Sequence, residues 1–267
     1  MSLNLIDTHV HLDDDRLRGE VEAVVQRAEA AGVKRMICIA TTAPSAQRGI
    51  EYAGHYPSVY ASVGIHPNNA VEALEGDWEK VLEMVTMPKV VALGETGLDR
   101  HWDTTPFEMQ QDYFARHLAL SRTTGLPVVI HCREAEADIL PMLEADFAQF
   151  GPVRGVMHSF SGDQVFAKQC LKLGLYLSFS GMVTYKKVSG LRAVLDVVPD
   201  DRILVETDAP YLTPDPMRGK VKKNEPAYVV HTAAYLAGMR GMGLEPFGEL
   251  TTTNACKLFH LPVHTKG

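Results

Sequence analysis

From one end of the chain to the other, short apolar runs alternate with segments whose apolar residues recur at helical spacing. The runs Leu3–Thr8, Arg35–Thr41, Val59–Gly64, Val90–Gly94, Pro127–Cys132, Val153–His158, Leu175–Ser180 and Arg202–Thr207 are predicted as strands. Helices are predicted between them at Arg16–Ala31, Pro44–His55, Asp77–Val85, Pro106–Thr124, Ala135–Phe147, Asp163–Leu173 and Val188–Val198. Two more are predicted near Pro226–Met239 and Pro246–Phe259, with a helix break at Gly238–Gly243. Val21, Val24, Val25 and Ala28 share one helix face, and Gly32, Gly125 and Gly174 stand where helices should stop. Strands that are apolar along most of their length imply burial on both faces, which a parallel sheet wrapped by helices provides. Eight such strand–helix units predict an α/β fold, a closed (β/α)8 TIM barrel, with an open doubly wound sheet as the runner-up. Neither Gly-x-Gly-x-x-Gly nor a Walker A sequence follows the first strand, so nucleotide-binding folds lack their usual support. No linker interrupts the alternation, and residues 1–267 are expected to form one domain.

Polar residues recur where these strands stop. The ends read His9-x-His11, Gly64-Ile65-His66-Pro67, Gly94-Glu95-Thr96-Gly97-Leu98-Asp99, His131-Cys132-Arg133, His158-Ser159-Phe160-Ser161-Gly162 and Glu206-Thr207-Asp208-Ala209-Pro210. In a parallel barrel all strand C-termini face one mouth, so these distant residues would converge there. Positions two apart on an extended segment point the same way, which pairs His9 with His11. Imidazole plus carboxylate is a ligand set for Zn, Mn, Fe or Ni, and burying so many ionisable groups without a cation would be costly. Four histidines and two carboxylates suffice for two ions sharing one carboxylate. His66 opens into the same mouth, but Pro67 beside it suggests a rigid turn; it is read as a substrate-contacting or supporting group. His55, His101, His117, His231, His260 and His264 are read as surface or packing residues.

Composition narrows the class without changing the fold. The chain has 267 residues, 26 basic against 33 acidic, for a formal charge of −7. A protein that clamps long duplexes by counterion release is usually basic, so broad adhesion to nucleic acid is not expected. Cys38, Cys132, Cys170 and Cys256 form no Cys-x-x-Cys pair, which fits a reducing, cytoplasmic compartment. Met1 to Asp13 has no basic leader and no run is long enough to span a bilayer, so no secretion signal or membrane anchor is expected.

The strand-end segments, together with Leu5-Ile6-Asp7-Thr8, Tyr211-Leu212 and Asn224-Glu225-Pro226, resemble the TatD-type metal-dependent deoxyribonucleases. The likeness keeps order and spacing from the first strand to about residue 230; His-x-His alone would suggest only the wider amidohydrolase superfamily. The resemblance implies a barrel phosphodiesterase with one or two divalent ions, Mg among the candidates with Zn, Mn, Fe and Ni. It implies that His9, His11 and Asp208 hold one ion, that His131 and His158 hold the other, and that Glu95 bridges them. The loop Arg218–Asn224 reads slightly longer than the family pattern.

On that reading Asp208 and Glu95 are the catalytic carboxylates, with Asp208 also taking a proton from the attacking water. Glu206 would orient that water or a ligand histidine, or form an ion pair inside the barrel. Arg133 would bind phosphate, or form a structural salt bridge. Arg218 and Lys220, with Lys222 and Lys223, form a basic lip that would track phosphates of single-stranded or frayed DNA at a 3′ end. Tyr185 and Tyr211 serve either to stack a base or to pack the core. A metallohydrolase of a small phosphoester, amide, lactone or aminoacyl-tRNA ester, and a metal-binding protein without activity, stay open as alternatives.

Overall fold

The computed structural model describes residues 3–262; the readings at Met1 and His264 lie outside them. The strands are β1 (Leu5–Val10), β2 (Val33–Cys38), β3 (Val59–Val63), β4 (Val90–Asp99), β5 (Val128–Arg133), β6 (Gly155–Met157), β7 (Tyr176–Phe179) and β8 (Ile203–Val205). All neighbours are parallel and lie in sequence order. The last gap is bridged just past β8. Val10 pairs in parallel with Ala209, Asp208 N–H donates to His9 O at 2.9 Å, and His11 N–H donates to Ala209 O at 2.8 Å. The result is the expected (β/α)8 TIM barrel.

Helices α1 (Val21–Ala30), α2 (Ala43–His55), α3 (Asp77–Met84), α4 (Phe107–Thr124), α5 (Glu136–Phe150), α6 (Gln164–Lys172), α7 (Ser189–Val194) and α8 (Val229–Met239) follow the strands, and α9 (Leu244–Phe259) ends the fold. Two apolar clusters form. The larger packs strands against helices, through residues such as Leu5, Val24, Met36, Phe114 and Leu143. The smaller gathers Ile6, Ile37, Val129, Val156, Tyr176 and Leu204 with Leu258 and Phe259 of α9. This is the interior layer of the barrel, closed by the C-terminal helix.

Several boundaries differ from expectation, and three of the differences have a clear physical reason. Strand β1 runs two residues further than predicted, because His9 and Val10 still take part in ladder bonds on both sides; Ile39 N–H donates to Val10 O at 2.8 Å. Strand β4 runs five residues past Gly94, pairing Gly97 with His131 and Asp99 with Arg133. Glycine, read as a strand breaker, is required here by a close approach: at Gly97 (φ 136°) a Cβ would lie 2.0 Å from the His131 carbonyl oxygen. The predicted helix at Arg16–Ala31 starts only at Val21, since Leu17 and Arg18 N–H instead donate to Asp14 O in a tight turn.

Candidate metal centre

The late ends of β1, β4, β5, β6 and β8 deliver the site. Asp208 takes a left-handed backbone (φ 54°), held by its bond to His9 O and by the Ala209 N–H bond to Thr207 Oγ1 at 3.1 Å. Aspartate is one of the few side chains that tolerates this region. Asn224, fully buried, donates to Thr207 O (2.9 Å) and Tyr211 O (2.6 Å), so the Asn-Glu-Pro sequence ties down the segment that carries Asp208. Glu225 next to it takes two bonds from Arg27 Nε and Nη2 at 3.0 and 2.7 Å.

The six expected ligands come together, in two halves joined by Glu95. Nε2 of His9 and His11 lie 3.1 Å apart. Glu95 Oε2 is 3.3 Å from the first and 3.7 Å from the second, and Asp208 Oδ1 is 3.6 and 3.5 Å from them. The other oxygen of Glu95, Oε1, is 3.1 Å from His131 Nδ1 and 2.8 Å from His158 Nε2, which are themselves 3.3 Å apart. A tetrahedral ion with N and O ligands at bonding distance spaces those ligands about 3.3–3.6 Å apart. The first half, at 3.1 to 3.7 Å, brackets that spacing, the second, at 2.8 to 3.3 Å, is tighter, and the donor set fits a divalent transition metal.

Three of the four rings have a hydrogen-bond partner behind them, which leaves the nitrogen facing the site as the candidate metal donor, while His9 Nδ1 is buried without one. His11 Nδ1 lies 3.0 Å from Ile39 O, an acceptor only, so Nδ1 carries a proton and, in the neutral ring, Nε2 keeps its lone pair. His131 Nε2 lies 2.9 Å from Asp99 Oδ2, leaving Nδ1 to face Glu95. His158 Nδ1 lies 3.3 Å from Glu206 Oε1, which also accepts the Ser159 N–H at 2.7 Å. Glu206, at 1 % exposure, therefore sits behind His158.

His66 lies 3.3 Å from Glu95 Oε1 and could share a cation with Glu95 and His131 on distance alone. Its Nδ1, however, accepts the Asn68 N–H at 3.0 Å, so the neutral ring carries its proton on Nε2 and presents a donor to the cavity.

Protons balance the charges in the cation-free protein. Burial works against charge on His11, but the Asp208 hydrogen bond and the Glu95 carboxylate hold its pKa up to about 9. Burial is likewise outweighed at His158, which Glu95 and Glu206 raise well above the usual imidazole value. Glu95 is held well below the carboxylate range, burial being outweighed by His158, His66 and His9. Burial pushes His9 and His66 down.

The site opens into a cavity of about 850 Å³ that Arg133, Asn68, Trp102 and Tyr211 also line. Arg218 and Lys220 are not among its lining residues. Arg218 lies over the Tyr185 ring at 4.0 Å, Lys220 is exposed, and Lys223 is bound to Glu20 and to the Arg16 carbonyl. Asp99 was not singled out in the sequence, although it closes a strand-end motif whose first acid was. Trp102 carried no signal there at all.

The family model for the TatD-related DNases matches residues 6–260. YabD of Bacillus subtilis strain 168, an uncharacterized metal-dependent hydrolase, is 39 % identical over 257 residues, 96 % of this chain and 99 % of that protein. The 3′-5′ ssDNA/RNA exonuclease TatD of Citrobacter rodentium is 32 % identical over 96 % of this chain and 97 % of its own length. The crystal structure of YjjV, a TatD homolog from Escherichia coli K12, covers 98 % of this chain and 100 % of its own with a TM-score of 0.90 at 31 % identity. The chain is a metal-dependent hydrolase. It belongs to the TatD-related DNase family. Among the described residues no helix is long and apolar enough to cross a membrane.

Proposed function

We propose that this hydrolase cleaves phosphodiester bonds of DNA, working from the 3′ end of single-stranded or frayed substrates. The observation that carries the reading is Glu95, whose two oxygens each face a different pair of histidines across one cavity wall. That is the arrangement two ions need to grip a single phosphate. The name of the Citrobacter relative supports the polarity and the single-stranded substrate.

His9, His11 and Asp208 would hold one divalent ion and His131 and His158 the other, with Glu95 between them. An ion held there would lower the pKa of water and relieve charge on the phosphoryl oxygens. Asp208, whose side chain is 14 % exposed against 3 % for Glu95, is the more open of the two carboxylates on the cavity wall. It stays ionised, since burial is outweighed by His11 and His9, and it accepts the proton of the attacking water. His66 Nε2–H donates to a phosphoryl oxygen, and Arg133 steadies the phosphate. Glu206 fixes the ring of His158. Arg218 and Lys220, outside the cavity, contact phosphates further along the strand.

The test is degradation of end-labelled single-stranded DNA, with RNA and a chromogenic phosphodiester in parallel. EDTA is expected to stop it, and Glu95→Ala and Asp208→Ala are each expected to lower kcat by at least about a hundredfold. Activity that survives EDTA, or that survives in both variants, refutes the assignment.

A further inference from the structure

A single exposed aromatic side chain is ordinary on a protein surface, and what sets one apart is where it stands and how firmly it is held. Trp102 is 52 % exposed and lies on the rim of the metal cavity. Its backbone is nevertheless fixed from below. Asp99 Oδ1 accepts the N–H of His101 (2.8 Å) and of Trp102 (3.0 Å). The buried Gln110 of α4 accepts from Asp99 N–H at 2.8 Å and donates to Asp99 O at 3.1 Å and Thr105 O at 3.2 Å. The same Asp99 touches His131 through its other oxygen, so the position of the indole is referenced to the metal centre through one side chain.

Arg133 lies over the indole with the guanidinium carbon 5.8 Å from the ring centroid, near the outer limit of a cation–π contact. Among the described residues Arg133 makes no ion pair and no side-chain hydrogen bond, whereas Arg100 close by is held by Asp138 at 2.6 Å. Tyr211 and Tyr185, the other candidate stacking rings, already carry arginines at closer range. Arg16 lies over Tyr211 at 4.1 Å and Arg218 over Tyr185 at 4.0 Å.

We infer that Trp102 is a stacking platform for the nucleobase flanking the scissile phosphate, with the Arg133 guanidinium binding the adjoining phosphate. The inference rests on the nucleic-acid reading of the site and names how a single strand is recognised there. A fixed, exposed indole accepts any base through its π face, and duplex ends would have to fray to reach it. This gives selection for unpaired ends without a basic surface, which suits a chain of charge −7.

The chain has two tryptophans, so Trp78→Phe leaves Trp102 as the only indole reporter. Its fluorescence is expected to be quenched by cleavage-resistant phosphorothioate oligothymidylate and not by the same backbone ending in abasic nucleotides. In hydrolysis, Trp102→Ala is expected to raise KM for oligothymidylate about 5- to 150-fold with kcat little changed, the range that one stacked base provides. On abasic-ended strands the variant should match wild type, and Trp102→Phe should fall between. Equal quenching by abasic strands, an unchanged KM, or an equal loss on both substrates overturns the inference. Base-dependent quenching by the phosphorothioate strand, with no cleavage of the unmodified oligothymidylate by wild type, sinks the nuclease reading while upholding the platform.

Discussion

His117 shows what a buried neutral imidazole does for this site without touching it. It is fully buried on α4, its Nδ1 faces Tyr113 O at 2.7 Å and Thr96 Oγ1 at 3.1 Å, and its Nε2 accepts the Ile65 N–H at 3.3 Å. It thus ties α4 to the neighbours of both His66 and Glu95. Burial pushes its pKa down to about 4, against 6.5 in an unfolded chain. Between those values the unfolded chain binds the extra proton. The stability that neutral His117 contributes is therefore full above about pH 6.5, falls as the pH drops, and is gone below about pH 4, a loss of roughly 3 kcal/mol. His117→Gln should start less stable at pH 7 and lack this slope; urea midpoints at pH 7, 5.5 and 4 would show it, and parallel curves for the two proteins would refute it. The sequence left His117 among the histidines of helices and loops, with a surface or packing role. It gave no hint of the two strand ends it joins, since those contacts span 21 and 52 residues.

At the scale of elements, the strand order was legible from apolar runs, and the convergence of candidate ligands on one mouth from the polar residues near the strand ends. The length of β4 was not. Its final segment contains Gly94 and Gly97, which propensity reads as the end of a strand, whereas the fold uses Gly97 to bring β4 and β5 together. Only the neighbouring backbone reveals that need. Gly97→Ala is expected to cost about 2–5 kcal/mol, combining a φ of 136° that an L side chain resists with a contact that only backbone movement can relieve. Because the obstructing atom belongs to His131, the same variant should bind Zn or Mn more weakly than its stability loss alone explains. Denaturant melts set beside metal titrations of the folded protein check both parts; a variant with wild-type melting would show that the close approach is not real.

For the whole molecule, the sequence promised a basic lip, and the fold draws two of its members into other contacts: Lys223 pairs with Glu20 and Arg218 lies over the ring of Tyr185, residues far away in the chain. Charge is instead concentrated inward, in a ring of imidazoles and acids whose protons stand where cations would. The linkage that follows has a definite sign. In the cation-free protein His11 adds stability below about pH 6.5, and this is lost as the pH rises through about 9. A bound divalent ion requires the neutral ring, so below pH 9 it must displace that proton, and its affinity rises with pH. Metal-induced stabilisation should therefore grow between pH 6.5 and 9 while the cation-free protein weakens. At a free ion concentration of about 100 times Kd the gain is about 2.7 kcal/mol, readable as a rise in Tm. Glu95→Gln should flatten that gain at every pH, because its amide cannot serve both halves of the site as an anionic ligand. A Tm increment that is independent of pH, or that is undiminished in Glu95→Gln, would place the ion somewhere other than among these residues.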